Sequence, residues 1–400
     1  MTSRRQLVGI ALLGAAVVGA SCSNDSALSS TPSASTSATE TTGSPATSSV
    51  AKASIPVPAD GFSVVSSLRQ IPSVVQNADD SNISIVASDL DAAGVLAGVA
   101  RPPGTADVDA VTNWARALNG QARDAEEKPV VFALLPVVAH LETSLRVDEF
   151  ARDVGWSIVD VHTFVEHRVR ADVFTVMTGG FSADALTDVI GEPVGGIWSV
   201  GGADFSTDVA NATAARPLGE SLRFALRDDT LAVSRSTPPV EAWQELANHE
   251  ADGTLATDDG LLAVATALDE AEVYTAIVGK ADFGARSTDA PTPTTSVPAG
   301  LGPLVDAGVG LTVQDGQPLA VLVHYFADET SAAAGADKLA DLLENGVSDL
   351  TTRPWKRSFA IRHIAAEGQV VTTTLEFKDF HPANLWNILF ALDNLFAGSR

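Results

Sequence analysis

The chain has a single cysteine in 400 residues, Cys22. One thiol excludes a disulfide framework and every metal site built from several cysteines. Basic residues are scarce too. The 25 Lys and Arg stand against 50 Asp and Glu, giving a formal charge of −25 and a pI near 4.4. A general nucleic-acid binder is thereby excluded, because phosphate contacts need clustered Lys and Arg. Several catalytic signatures are incomplete. Gly180-Phe181-Ser182-Ala183-Asp184 lacks the last glycine of a hydrolase elbow, and Gly279-Lys280 continues into Ala281 without the earlier glycine of a phosphate loop. What is present is ordinary: 45% hydrophobic and 19% charged residues, enough for a sizeable core. At about 150 residues per domain, two to three domains are expected.

The N-terminus reads as an address. Arg4 and Arg5 precede an apolar run of fourteen residues, Leu7 to Ala20, which is short of the about 20 residues that span a bilayer. Gly19, Ala20 and Ser21 are the small residues a signal peptidase needs, so residues 1–21 are expected to be a signal peptide. Cys22 follows directly. The sequence Gly19-Ala20-Ser21-Cys22 resembles the lipobox of a bacterial lipoprotein precursor, with Gly19 in place of the usual Leu or Val. That resemblance implies an acyl chain (palmitate or a similar fatty acid) on Cys22 and a chain held at the membrane. Ser3-Arg4-Arg5-Gln6-Leu7-Val8 also resembles a degenerate twin-arginine export motif. Removing residues 1–21 takes away two arginines and no acid, leaving −27 on the mature chain.

Residues 22–54 are expected to be a tether. Between residues 23 and 52, Ser, Thr and Pro make up 18 of 30 positions, so there is almost no apolar surface to offset ordering entropy. A flexible segment of that length spans on the order of 30 Å.

From Ile55 onward the pattern is globular. Ile83 to Val86 reads as a strand, and Asp89 suits the N-cap of a following helix. Asp107 to Leu118 reads as a helix stopped by Gly120, and Ser182 to Ile190 as another closed by Gly191. Val130 to Val138, interrupted by Pro136, reads as a buried strand. Three hairpins follow, each trailed by a helix. The first turns at Asp228-Asp229 and precedes Val240–Ala247. The second turns at Asp315-Gly316 and precedes a helix from about Ser331 to Leu343. The third turns at Glu367-Gly368 and precedes Pro382–Phe396. The expected fold class is α+β, antiparallel sheets with helices packed on one face and recurring strand-strand-helix units. A soft boundary falls in the Pro- and Thr-rich stretch 284–300. It divides residues 55–285 from a smaller ββαββα domain at 300–400, or from a continuation of the same body. With its signal, its Ser/Thr tether and six Lys against nineteen Arg, the chain resembles the actinobacterial membrane lipoproteins of unknown function.

The chemistry sought is mostly missing. His162 and His167 bracket Glu166, but on a strand residues five apart point to opposite faces, so no metal site is assigned. His324 and His363 read as structural, and His363 is expected on the face of Phe359 and Ile361. No catalytic residue and no cofactor is assigned. The weak binding candidates are Trp386 and Phe390, on a C-terminal helix apolar around most of its girth, and Arg357. The last belongs to a local basic cluster of Arg353, Lys356, Arg357, Arg362 and Lys378. The leading expectation is a non-enzymatic cell-envelope lipoprotein, exported and anchored at the outer face of the cytoplasmic membrane through an acylated Cys22. It would bind an envelope protein or a small apolar ligand, and no nucleic acid. The alternatives are a solute-binding receptor of a transporter, which needs two βαβ-rich lobes, and an envelope hydrolase.

Overall fold

The structure is a computed structural model, and it describes residues 61–75, 84–120, 131–139, 146–169, 172–246, 253–280, 301–348 and 351–378, with residues 382, 385, 395 and 396. The expected signal, Cys22, the tether, the 284–300 stretch, Trp386, Phe390 and most of the C-terminal helix lie outside the described residues. Residues Val57–Arg400 form one compact unit.

Eleven described strands make one sheet. They are β1 (Ser84–Asp89), β2 (Val161–Val169), β3 (Asp172–Gly179), β4 (Ile197–Val200), β5 (Leu222–Arg227), β6 (Thr230–Ser234), β7 (Thr275–Lys280), β8 (Leu304–Gln314), β9 (Gln317–Phe326), β10 (Phe359–Glu367) and β11 (Val370–Phe377). Their order is β10-β11-β9-β8-β7-β1-β2-β3-β6-β5-β4, and every neighbouring pair is antiparallel. The fold is α+β, with no parallel pair among the described strands. β7 pairs with β8 along six positions, so the sheet runs without a break past the 284–300 stretch.

Nine described helices cover this sheet: α1 (Val64–Leu68), α2 (Leu90–Ala97), α3 (Val108–Leu118), α4 (Val147–Val154), α5 (Ala183–Ile190), α6 (Thr237–Glu245), α7 (Asp259–Glu270), α8 (Glu329–Asn345) and α9 (Trp355–Ser358). They line both faces rather than one. On the first face, Val86, Phe164, Ile277 and Leu322 meet α2, α3, α4 and α8. On the second, Ile85, Ala87, Val165 and Val278 meet α1, α6 and α7. The reason is visible in β1, where all six residues are buried and successive side chains enter opposite layers. A sheet buried on both faces needs cover on both. Helix α7 comes close because Gly308 and Gly310 face it. A Cβ on Gly308 would sit 2.5 Å from Val264, and one on Gly310 2.5 Å from Val273.

Local signals placed most elements. Asp89 caps α2 by accepting from the Ala92 amide at 2.8 Å, Asp107 caps α3 from Ala110 at 2.9 Å, and Ser182 caps α5. Asp315 and Gly316 both take positive φ, as a tight two-residue hairpin turn requires. Two expectations are corrected. Residues 131–136 form no strand. This buried run lies across the first face with its amides satisfied one by one: Phe132 donates to the Tyr274 hydroxyl, Ala133 to the Leu118 carbonyl, and Val137 to Glu166. His363 is not on the face of Phe359 and Ile361. A bulge between Ile361 and His363 shifts the register against β11, so His363 pairs with Thr374 and is exposed.

Candidate functional site

A cleft of about 330 Å³ opens beside the start of β2, between α4, α5 and the turn Ile158–Asp160. Its floor is Trp156, buried and held edge-on by Phe150 (4.9 Å between ring centroids) and Phe181 (5.9 Å). Gly155 ends α4 with φ 79°, and a Cβ there would stand 2.5 Å from the Ala185 carbonyl. Only glycine lets α4 and α5 approach closely enough to form these walls. Asp160 and Asp188 add carboxylates to the lining. The Ser157 amide donates to Asp160 at 2.7 Å and its hydroxyl at 3.2 Å, yet burial holds the Asp160 carboxyl above its ordinary range.

Beside the cleft is a charged network. Arg101 donates to the carbonyls of Val159 (2.9 Å) and Val161 (2.7 Å) and to Asp91 (2.7 Å), while lying over the Trp114 ring at 4.9 Å. The other oxygen of Asp91 meets His162 Nδ1 at 3.0 Å. The two candidate histidines are thus separated: His162 pairs with a carboxylate near the surface, whereas His167 is buried on the face of Val165. Among the described residues no group of three His, Cys, Asp or Glu side chains could hold a metal. Glu166 has a structural role. Fully buried, it accepts from Arg168 (2.5 Å), Thr175 (3.0 Å) and the Val137 amide (3.0 Å).

The segment that follows the α5 wall of this cleft exposes several apolar side chains. Ten large hydrophobic residues are exposed among those described, and five of them fall between residues 189 and 218: Val189, Val194, Phe205, Val209 and Leu218. Val189 belongs both to the cleft wall and to this group. The loop from β4 to β5 that carries three of them is pinned from below. Arg223, buried, donates to the Gly202 carbonyl at 2.6 Å and pairs with Asp204 at 3.0 Å, and Asp204 also accepts from Thr237. Phe205, the next residue, takes φ 57° with half its side chain exposed. A bulky residue there is strained.

Of the sequence candidates, Arg357 is described and lies exposed on α9, far along the sheet from this cleft. The cleft residues Trp156, Asp160 and Asp188 carried no sequence signal. They come from three separate elements, and one aspartate among fifty acidic residues is unmarked. Phe205 could have been noticed as an aromatic inside a Gly- and Asp-rich loop.

No described helix is long and apolar enough to cross a membrane. No protein-family model matches the chain, and no curated protein matches it. Among solved structures, crystal form I of TP0453 aligns over 82% of this chain and 97% of its own at 10% identity and a TM-score of 0.34. Crystal form III aligns over 80% and 96%, at 10% identity and 0.32. Likeness at that level carries no argument about function.

Proposed function

We propose that this protein is a lipid-anchored cell-envelope protein whose folded body docks an envelope protein through the apolar surface beside β4. The observation that carries the docking reading is the exposure of Val189, Val194, Phe205, Val209 and Leu218 along the one segment that runs through the outer described strand β4, in an otherwise acidic body. Singly exposed hydrophobics are unremarkable, whereas five on one segment that includes a pinned, strained loop cost solubility unless they are covered. A protein partner fits better than a small apolar ligand. The neighbouring cleft presents Asp160, Asp188, Ser157 and Thr105, and an apolar ligand would strip their water without replacing it. A transporter receptor fits less well, since the described body is one antiparallel sheet and not two βαβ lobes. The anchoring half of the proposal rests on Gly19-Ala20-Ser21-Cys22.

Two measurements test it. Intact mass of the protein extracted from membranes should show cleavage before Cys22 and added acyl mass; an unmodified Cys22 behind an intact signal would end the anchoring reading. For docking, a photo-crosslinking residue placed at Val209 should trap one protein in intact cells, and the same probe at exposed Glu241 on α6 should not. With the probe kept at position 209, the double change Phe205→Ser, Leu218→Ser should abolish the adduct without lowering the melting temperature. Equal trapping at both positions would sink the docking surface.

A further inference from the structure

We infer that the corner formed by α9 and the end of β11, at the opposite edge of the sheet, is a docking surface for an anionic lipid bilayer. From Leu350 to Ala366 the sequence has four basic residues, Arg353, Lys356, Arg357 and Arg362, and no acid, in a chain with twice as many acids as bases. The fold turns this run into a rigid patch. Trp355 is buried and stacks on Phe359 at 5.9 Å, and Phe359 packs on Phe377 at 5.7 Å, which fixes α9 on the sheet end. With Trp355 inward, Lys356 and Arg357 point to solvent. The Lys378 amide donates to the Ser358 carbonyl, and its ammonium to the Lys356 carbonyl at 3.1 Å, which brings a further cation to the same corner. Arg353 leads into α9 from a loop closed by the Val347–Pro354 bridge, and Val347 in that bridge is exposed. Arg362 is neutralised by Glu376 at 2.5 Å, whereas Arg353, Lys356 and Arg357 form no ion pair with a described residue.

The occupant is fixed by charge. An exposed cationic corner on a polyanion attracts a surface of opposite sign. The body's remaining negative charge is screened beyond about 8 Å at physiological ionic strength, so it does not cancel a contact made at the corner. An apolar residue beside the cations suits a headgroup layer better than a soluble polyanion. The choice of a bilayer rests on the anchoring reading, which keeps the body near a membrane. β10 and β4 are the outermost of the eleven described strands, and ten strand spacings make about 48 Å. Docking the α9 corner on the membrane therefore turns the apolar β4 end away from it, toward a partner.

The test uses the body from Val57 to Arg400, a compact unit of its own, which lacks both signal and Cys22. It should bind vesicles containing phosphatidylglycerol and not pure phosphatidylcholine, and binding should vanish near 1 M salt, where screening acts within about 3 Å. Each basic residue at such a surface is worth roughly fivefold, so Arg353→Gln, Lys356→Gln and Arg357→Gln together should weaken binding about 100-fold. All three side chains are exposed, and an unchanged melting temperature in the triple variant verifies that the fold is kept. Equal binding to both vesicle types, undiminished binding by the triple variant, or binding to soluble polyphosphate but not to vesicles would each overturn the inference. Because this body has no acylation site, its result is independent of whether Cys22 is modified.

Discussion

Asp306 on β8 and His324 on β9 sit on opposite faces of one hairpin, and their proton linkages oppose each other. Burial pushes the Asp306 carboxyl up to about 6, although Lys280 lies at 3.2 Å. Its folded value exceeds its unfolded value near 3.8, so the folded state holds the extra proton and this group loses stability as pH rises from about 4 through 6. Burial pushes the His324 imidazole down to about 4 from 6.5, against one hydrogen bond with the Leu395 carbonyl. There the unfolded chain binds the extra proton, so stability is gained over much the same window. Each linkage amounts to on the order of 3 kcal/mol at 1.36 kcal/mol per unit, and they largely cancel. Asp306→Asn should therefore expose the histidine: urea midpoints should fall more steeply from pH 6.5 to 4 in the variant than in the parent. Equal slopes would remove the argument. Glu166→Ala leaves Arg168, Thr175 and the Val137 amide without their shared acceptor. It should cost about 3 kcal/mol or more of unfolding free energy by urea titration. Phe205→Gly relieves a positive φ at an exposed site, so it should raise the melting temperature slightly while reducing partner crosslinking.

At the scale of elements, close approach matters more than propensity. Helix α7 lies against β8 where Gly308 and Gly310 leave no side chain in the way. Gly308→Ala would drive a methyl into Val264 and Leu268, and it should cost about 1–3 kcal/mol in a urea titration. The same substitution at Gly316 tests something different, because open space surrounds it and only its φ of 77° is at stake. Hairpins and caps were legible in the sequence because their determinants lie within a few residues: Asp315-Gly316 for the turn, Asp89, Asp107 and Ser182 for the caps. Residues 131–136 misled for the converse reason. Their apolar run suits a strand, but their hydrogen-bond partners come from Leu118, Tyr274 and Glu166, far off in the chain. The β10 bulge is a comparable case, since a register shift against β11 decides which face His363 occupies.

The described body is built on a single broad sheet whose two outer described strands differ. β4 is four residues long and is followed by the loop with exposed apolar residues; β10 is nine residues long, broken by a bulge, and begins at the basic corner. Anchoring, docking at β4 and membrane contact at α9 would divide these roles between the tether and the two ends. If Cys22 is acylated as proposed, Cys22→Ala should leave a membrane association that high salt reverses, whereas the parent should stay bound in high salt, with the fold intact in both since Val57–Arg400 is a compact unit. By itself the sequence determined what depends on order and composition: the address-like N-terminus, the place of the single cysteine, the acidic balance, the caps and turns, and the α+β class. The tertiary structure alone decided that the strands form one sheet, that helices cover both its faces, and that Trp156, Asp160 and Asp188 meet in a cleft. It also decided that the apolar segment 189–218 and the basic segment 353–362 lie at opposite ends of the described sheet. Those are distances between residues remote in the chain, fixed by strand order and register, and neither periodicity nor spacing in the sequence contains them.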